Sequence, residues 1–443
     1  MGSSQTVLPF KLAATDESLT AHGGLALFGE FSRAFGLGEL IDHELPAPGS
    51  AAGYRPPAHV LPLVLMLSGG GRTLEDLRVL RRDEGLRHLL QLKEMPSSDA
   101  TGDWLKRMGP QEMGSQASDG LAGLARVNRR VFRRLLQRDA GIGCTLDIDA
   151  TQIVAEKRAA HYTYKGEKGY MPMVGHIAEL GLVIGHEFRE GNAAPASGNL
   201  AFLQACEDAM PQGKKITAIR ADSAAYRAAI FNWCEETGKV FAIGADQDAA
   251  VKAAIAAIPE SDWTKFRDGE IAETVHCMNK TGKAFRLIVM RRAVDQDLFE
   301  DKGPYRYHAI ASNREGEDAA ATMQWYSKRG DASRKSRSKD LKIGFGMEHM
   351  PCGGFAANAA FFAIGVLTYN LYLGFRGVAL GKEFERAQVQ TVRWRLFQTA
   401  GKIVSHGRQT FLKISAAMLA VFTAIRERCA RFMREGGAVP ETS

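Results

Sequence analysis

The pattern of apolar and polar positions divides the chain into a strand-rich middle and two helical flanks. Between residues 22 and 108 the apolar residues recur at helical spacing, and a stretch rich in Pro, Gly and Ala at 46–57 predicts a linker. One of these helices begins at Thr73, a capping residue followed by an acidic first turn. Short capped helices of this kind occur in DNA-binding modules, and a plain helical bundle fits the pattern equally well.

A strand predicted over residues 144–153 carries two carboxylates on one face. Its apolar residues alternate with Asp147 and Asp149, so the aspartates point away from the apolar face. A second predicted strand, residues 215–223, ends at Asp222, where a helix begins. Burying a carboxylate is costly unless a cation neutralises it. The two strands therefore suggest a divalent-metal site for phosphoryl chemistry, with simple turn capping by these aspartates as the alternative.

The order of the predicted elements is that of a ribonuclease-H-like sheet. The strand of Asp149 is followed by a two-stranded hairpin and then by helix, strand, helix and strand. In that architecture the first strand is central and the Asp222 strand lies parallel beside it, so both aspartates meet at one edge. Three further strand patterns, which we interpret as an inserted β-rich subdomain, lie at 271–278, 285–290 and 305–311.

The predicted fold class is therefore α/β, with a ribonuclease-H-like mixed sheet, a β-rich insertion, and helical regions before and after it. The five predicted regions are a helical N-terminal region (1–138), the first part of the core (139–245), the β-rich insertion (246–316), the rest of the core (317–375) and a basic helical C-terminal region (376–443). Residues 356–375 are apolar enough to be mistaken for a membrane span. Asn358, Asn370 and many small residues favour a buried core helix instead.

Composition narrows the class of protein further. The chain has 443 residues, of which 45% are hydrophobic and 24% charged, which is typical of a globular protein with two or three domains. Its six cysteines include no Cys-x-x-Cys pair, which indicates a reduced, cytosolic protein without structural zinc. Residues 1–11 lack the apolar core of a signal peptide.

The net charge of +7 is concentrated in the C-terminal half of the chain. Residues 326–342 contain seven Lys/Arg and two Asp, and residues 376–435 contain twelve Lys/Arg and four Glu. Trp394, Phe397 and Phe411 interleave with the second basic cluster. This asymmetry indicates binding to a polyanion, whereas ordinary solvated helix faces are the alternative.

Segments spread over residues 24–428 resemble the DDE transposases of bacterial insertion sequences, specifically the piggyBac-related branch. The segments that carry the resemblance are LDIDAT (146–151), RADS (220–223), NWCEE (232–236), YSKRG (326–330), GFGMEHMPC (344–352) and TVRWRLFQTAGKIV (391–404). The resemblance implies a ribonuclease-H-like catalytic domain that cuts and joins DNA at insertion-sequence ends with two Mg²⁺ or Mn²⁺ ions. The predicted partners are the terminal inverted repeats and target DNA, and we expect a homodimer with no membrane attachment at a bacterial, cytoplasmic, nucleoid-associated location.

The resemblance implies a role for each of two aspartates in this sequence. It places the first metal-binding acid at Asp149, with Asp147 as the alternative, and the second at Asp222. Carboxylates suit this chemistry because Mg²⁺ is a hard cation that prefers oxygen ligands. The chain is thus predicted to be a metal-dependent DDE transposase.

The resemblance also implies a third metal-binding acid, and at this acid the sequence departs from the family's pattern. A glutamate is expected at one of positions 333–335, which hold Ser, Arg and Lys. The nearest acids, Asp331 and Asp340, are nine residues apart and face opposite sides of an ideal helix, so at most one replaces it; Glu348 lies farther on. The departure motivates an alternative function, a catalytically impaired transposase-derived DNA-binding protein. A structure-selective nuclease is a third reading, against which the insertion and the long basic C-terminus count.

The expected DNA contacts lie on the third-acid helix and in the C-terminal region. They are Tyr326, Arg329, Lys339 and Lys342 on the helix, and Arg393, Arg395 and Lys402 beyond it. Tyr326 and Arg329 are three residues apart on one helical face, which suits them to grip the phosphate beside the cut. The helical N-terminal region is a candidate for binding the DNA ends.

Overall fold

A computed structural model of the chain describes residues 8, 10–109, 118–157, 160–294, 304–335 and 340–436, with only the backbone described at 330–335. The strands are β1 (Leu19–Thr20), β2 (Gly143–Ala150), β3 (Ile153–Val154), β4 (His161–Tyr162), β5 (Lys168–Tyr170), β6 (Met173–Ile177), β7 (Val183–Glu187), β8 (Lys215–Ala221), β9 (Val240–Gly244), β10 (Thr264–Phe266), β11 (Gly269–His276), β12 (Phe285–Ala293), β13 (Tyr305–Ser312), β14 (Gly401–His406) and β15 (Gln409–Lys413). The longer helices are α1 (Leu25–Ala34), α2 (Leu37–Glu44), α3 (Pro56–Gly69), α4 (Leu77–Arg82), α5 (Glu84–Leu90), α6 (Ser98–Arg107), α7 (Asp119–Leu136), α8 (Asn199–Asp208), α9 (Ala228–Glu236), α10 (Ala249–Ala256), α11 (Ala319–Lys335), α12 (Phe355–Val378) and α13 (Ala416–Glu435).

A nine-stranded mixed sheet forms the centre of the molecule, in the order β10-β11-β12-β13-β9-β8-β2-β6-β7. Strands β7, β6 and β2 are antiparallel neighbours, and β8 and β9 continue parallel to β2. This is the ribonuclease-H-like order, and it confirms the prediction that the strand of Asp149 is central with the strand of Asp222 parallel beside it.

The strands of the predicted insertion extend the central sheet. Strand β13 pairs with β9 in antiparallel register, with Ile310 opposite Gly244, and β12, β11 and β10 follow outward. The inserted strands therefore continue the central sheet beyond β9, and they lie where the apolar pattern predicted them. Strand β13 hydrogen-bonds to β9, whose backbone groups on that side would otherwise have no partner in the sheet.

The apolar helix α12 is a core helix. It is long and apolar enough to cross a membrane, but 94% of its most apolar window is buried within the protein. Its Asn370 amide accepts a hydrogen bond from the Val183 backbone N–H (2.9 Å) and donates one to the Val183 carbonyl (2.8 Å). The side chain thereby pairs with the edge strand β7 and protects it, which explains a buried asparagine in an apolar helix.

The two helical flanks of the chain pack on each other and on α12. Phe31 of α1 lies with its ring centre 5.6 Å from that of Phe375 and 5.2 Å from that of Phe432. The C-terminal region, predicted to be helical, also contains the β14–β15 hairpin, which forms a three-stranded sheet with β1. The prediction missed this hairpin because few of its residues are buried, so its strands show little apolar alternation.

Candidate active site

Asp149 and Asp222 end adjacent parallel strands on the same face of the sheet. The backbone register pairs Asp147 of β2 with Arg220 of β8, and the two aspartates each lie two residues farther along. Asp222 directly follows β8, and its Oδ1 accepts a hydrogen bond from the Ala224 N–H at 3.1 Å. Turn capping is therefore real at Asp222, but it uses one carboxylate oxygen and is compatible with metal binding by the other.

The surroundings of Asp149 disfavour its negative charge. Burial, opposed by the Arg329 guanidinium and reinforced by Asp222, raises the pKa of Asp149 to about 6; Lys342 lowers and Asp147 raises this pKa by smaller amounts. The Asp149 side chain nevertheless keeps 36% of its surface exposed. Two carboxylates that converge on an accessible point are electrostatically suited to a divalent cation.

Helix α11 brings the two predicted phosphate-gripping residues to these acids. Arg329 Nη1 lies 3.8 Å from Asp149 Oδ1, and Arg329 Nη2 is 3.4 Å from the Tyr326 hydroxyl. Tyr326 is buried, and its hydroxyl lies so near Gly244 that a Cβ built there would stand 3.1 Å from it. A side chain at position 244 would press on both the tyrosine and the backbone that follows Asp222. The structure thus places Tyr326 and Arg329 beside Asp149, and their contact with a DNA phosphate stays a prediction.

Lys342 also lies beside the first acid. Its Nζ donates a hydrogen bond to the Gln152 carbonyl at 3.0 Å, and its charge favours ionised Asp149. A cavity of about 30 Å³ is lined by both Asp149 and Lys342 and by the buried His176. That volume is enough for one water molecule.

Asp147 has a structural role. Both of its oxygens accept hydrogen bonds from the Arg220 guanidinium at 2.7 Å, and both side chains are less than a tenth exposed. Arg220 also donates to the Trp325 carbonyl of α11 at 2.7 Å. Because both oxygens are occupied by a buried cation, the alternative of Asp147 as the first acid does not fit. Arg220 supplies the positive charge that stabilises the buried Asp147 carboxylate. Because Arg220 also contacts the Trp325 carbonyl, the ion pair connects β2 and β8 to α11.

The third acid is not identified among the described side chains. Asp331 belongs to the stretch described only by its backbone, and Lys339 lies outside the described residues. Asp340 begins a wide helical turn, is buried, and acts electrostatically on Tyr372 and Arg393. Because Asp340 is buried close to Tyr372 and Arg393, we expect it to stabilise that region rather than to serve as the third acid.

Arg393 was wrongly predicted to contact DNA. It is buried, and its guanidinium donates to the carbonyls of Leu67 (2.6 Å), Ser68 (2.8 Å) and Gly344 (2.7 Å). Burial lowers the pKa of Arg393 to about 10. The residue closes the C-terminal end of α3 and ties it to the turn that carries Lys342.

The two other predicted C-terminal contacts remain on the surface. Arg395 is exposed, with its guanidinium 5.0 Å from the Phe384 ring centre. Lys402 is part-exposed and forms an ion pair with Glu17. Trp394 between the arginines is 79% exposed. These positions leave the DNA contacts of Arg395 and Lys402 as predictions.

His308 is a neighbour of the site that the sequence did not single out. Its ring centre lies 5.8 Å from that of Tyr326, and burial, Arg329 and Arg292 together lower its pKa. The residue lies on β13, opposite Met290 of β12. The apolar pattern places β13 in the insertion but does not give its register against β9. Nothing in the sequence therefore indicated that His308 contacts Tyr326 of α11.

The raised pKa of Asp149 predicts a pH-dependent stability difference. Between its ordinary value of 3.8 and about 6, the folded protein holds a proton that the unfolded chain has released, so this group lowers stability as the pH rises through that window. Asp149→Asn should therefore stabilise the metal-free protein at pH 8 by about 1 kcal/mol, after discounting for solvent exposure, and by much less near pH 4. Urea unfolding in EDTA at both pH values measures the difference. An equal effect at both would contradict the assignment.

The chain matches one family of known proteins over nearly its whole length. The family model described as "Transposase DDE domain group 1" matches residues 6–433. A cryo-EM structure of the piggyBac transposase synaptic complex with hairpin DNA is similar to this chain with a TM-score of 0.45 and 10% sequence identity, over 97% of this chain and 86% of that one. No curated protein matches the chain.

Proposed function

This chain belongs to the DDE transposases, and we propose that Asp149 and Asp222 are the metal-binding acids with which it cuts and joins DNA strands at the ends of a mobile element. The observation that carries this proposal is their convergence at the ends of two adjacent parallel strands, where Asp222 contributes to the raised pKa of Asp149. A divalent cation bound between two neighbouring carboxylates would relieve their mutual repulsion.

The donor set fits Mg²⁺ or Mn²⁺, because both aspartates offer hard oxygen ligands. Among the described residues, no group of three or more His, Cys, Asp or Glu side chains forms a complete metal site. A third ligand would have to come from the stretch whose side chains are not described, or from DNA and water. When bound, two such ions activate the attacking water or 3′-hydroxyl and stabilise the leaving oxygen.

Arg329 supports the proposal as the residue that holds the phosphate. At 3.8 Å its contact with Asp149 is longer than a hydrogen bond, and its buried Nε has no acceptor among the described residues. A guanidinium with an unused N–H suits a phosphate oxygen, to which it can donate two parallel hydrogen bonds. Tyr326 fixes the orientation of this side chain through its hydroxyl and ring.

The partner that this function requires is DNA. We assign the recognised DNA to the terminal inverted repeats of the element and to the target, and we expect the chain to act as a homodimer that holds two ends. Arg395 and Lys402 remain the proposed C-terminal contacts, and a bacterial nucleoid is the proposed location.

The assignment of the acids predicts a separation of cleavage from DNA binding. Asp149→Ala and Asp222→Ala should each abolish strand cleavage and weaken Mn²⁺ binding at least tenfold, because each removes a ligand, while affinity for DNA stays the same or rises as repulsion falls. Calorimetric titration with Mn²⁺, gel-shift assays and nicking of DNA that bears element ends measure the three quantities. Asp268→Ala is the matched control, since Asp268 is exposed and pairs with Arg292 in the extended sheet. Normal Mn²⁺ affinity in both variants would remove the metal from these residues.

A second function is motivated by positions 333–335. Without a glutamate there, the chain would bind element ends and cleave them poorly, acting as a DNA-binding protein derived from a transposase. Nicking assays on the parent chain and its glutamate variants separate the two functions.

A further inference from the structure

Directly after β2 the chain forms a small three-stranded sheet in the order β3-β5-β4. We call its described residues, 153–157 and 160–170, the aromatic arm. Tyr162 and Tyr164 of this arm are 64% and 67% exposed. Lys168 Nζ lies 5.5 Å from the Tyr162 ring centre, and Lys165 Nζ lies 5.6 Å from that of Tyr164. Two exposed rings, each with its own ammonium group, form a surface that is both aromatic and cationic.

The turn of the aromatic arm is held in one conformation. The Thr163 N–H donates to the Glu167 carbonyl (2.8 Å), and the Gly166 N–H donates to the Thr163 carbonyl (2.9 Å). Gly166 has φ = 81°, a conformation that favours glycine. The Gln152 amide donates to the Thr163 hydroxyl (2.9 Å) and the Glu167 carboxylate (3.0 Å). A surface ordered in advance loses less entropy when it binds a ligand.

The same glutamine connects the aromatic arm to the candidate active site. The Gln152 carbonyl accepts the hydrogen bond from Lys342, and Lys342 in turn acts on the charge of Asp149. Only three positions separate Asp149 from Gln152 along the chain. The aromatic arm is therefore joined to the candidate active site through Gln152 and Lys342.

We propose that the aromatic arm binds the DNA strand beside the cut, and that Tyr162 and Tyr164 stack on bases left unpaired there. The proposal rests on the proposed function, which brings DNA to Asp149. Aromatic rings beside lysines are the usual surface for unpaired nucleotides, because every base has a face to stack and every nucleotide a phosphate. The described residues of the arm contain three Lys and two Glu, so their net charge also favours DNA.

The test is a binding comparison with the full chain in EDTA. One probe is a short duplex with a central run of unpaired thymines, and the other is its fully paired counterpart. The parent should bind the unpaired probe about tenfold more tightly, the effect of about one stacked base. The double variant Tyr162→Ala/Tyr164→Ala should lose this preference with little change in affinity for the paired duplex. A double variant that keeps the full preference overturns the proposal.

Two controls separate stacking from other roles of the arm. Tyr162→Phe/Tyr164→Phe keeps both rings and should keep the preference. Tyr54→Ala removes a tyrosine that is 41% exposed elsewhere on the protein and should leave the difference in affinity between the two probes unchanged. In the parent, 2-aminopurine at an unpaired position should be quenched on binding, which tests stacking without any variant; unchanged fluorescence there overturns the proposal. If the alanine variant instead keeps the preference and changes only the oligomeric state, the arm is a protein contact. A parent that binds neither probe would contradict the proposed function itself.

Discussion

Replacing Asp147 by asparagine should destabilise the protein by about 3–5 kcal/mol, the cost of leaving a buried charge without its partner. The Arg220 guanidinium would remain buried without a negative charge beside it, and asparagine keeps only one of the two oxygens that now accept from it at 2.7 Å. Its only other hydrogen bond among the described residues is the one to the Trp325 carbonyl. Urea unfolding followed by circular dichroism measures the change in the free energy of unfolding.

Two variants show whether the unpaired charge is the cause. The double variant Asp147→Asn/Arg220→Met removes the charge as well and should recover part of the lost stability, because no ion is left buried alone. Asp103→Asn breaks an ion pair with Lys106 in which both side chains are mostly exposed, and it should change little. If Asp147→Asn unfolds at the same urea concentration as the parent, the pair does not stabilise the fold.

Introducing glutamate at one of positions 333–335 should increase strand cleavage by about a hundredfold or more, since a lost carboxylate ligand costs several kcal/mol of metal-dependent stabilisation. The parent has Ser333, Arg334 and Lys335 where the resemblance implies that glutamate. Two of these residues add positive charge, which opposes the binding of a divalent cation. Mg²⁺- or Mn²⁺-dependent nicking at an element end is the assay, with the three glutamate variants compared with the parent.

Asparagine variants of the neighbouring acids complete that experiment. If the parent cleaves unaided and Asp331→Asn stops it, Asp331 is the third acid. Asp340→Asn should leave cleavage unchanged, because Asp340 is buried with Arg393 and Tyr372. A fully active parent that tolerates both changes would refute the prediction and direct attention to Glu348, which pairs with Arg72 and His349.

The sequence predicted the sheet and the positions of its aspartates because side chains along a strand alternate between the two faces. That alternation places Asp147 and Asp149 on one face, and the order of strands and helices then brings Asp222 beside them. Which aspartate is structural depends on the register between β2 and β8. Nothing local in either strand indicates that register, so the choice between Asp147 and Asp149 needed the structure.

Charge patterning predicted less, because it does not distinguish buried from exposed cations. Arg393 and Arg395 are two residues apart in one basic segment, yet the first is buried against three carbonyls and the second is exposed. The difference comes from packing on α3, which lies more than 300 residues earlier in the chain. Likewise, nothing in the sequence singled out Tyr162 and Tyr164, because their exposure depends on how the aromatic arm folds.

A small apolar cluster packs the inserted strands against α11, the helix that carries two residues of the candidate active site. Ile271, Ile288 and Ile310 of the extended sheet pack with Met323 and Tyr326 of α11. In this cluster helix α11, which carries Arg329, thus packs mainly on strands of the insertion, and only Ala242 belongs to the ribonuclease-H-like strands. Deleting the insertion would remove most of the apolar residues of the cluster on which α11 packs. A ligand that displaced β11–β13 would therefore also shift the Arg329 side chain. The position of Arg329 in the candidate active site therefore depends on packing against the insertion.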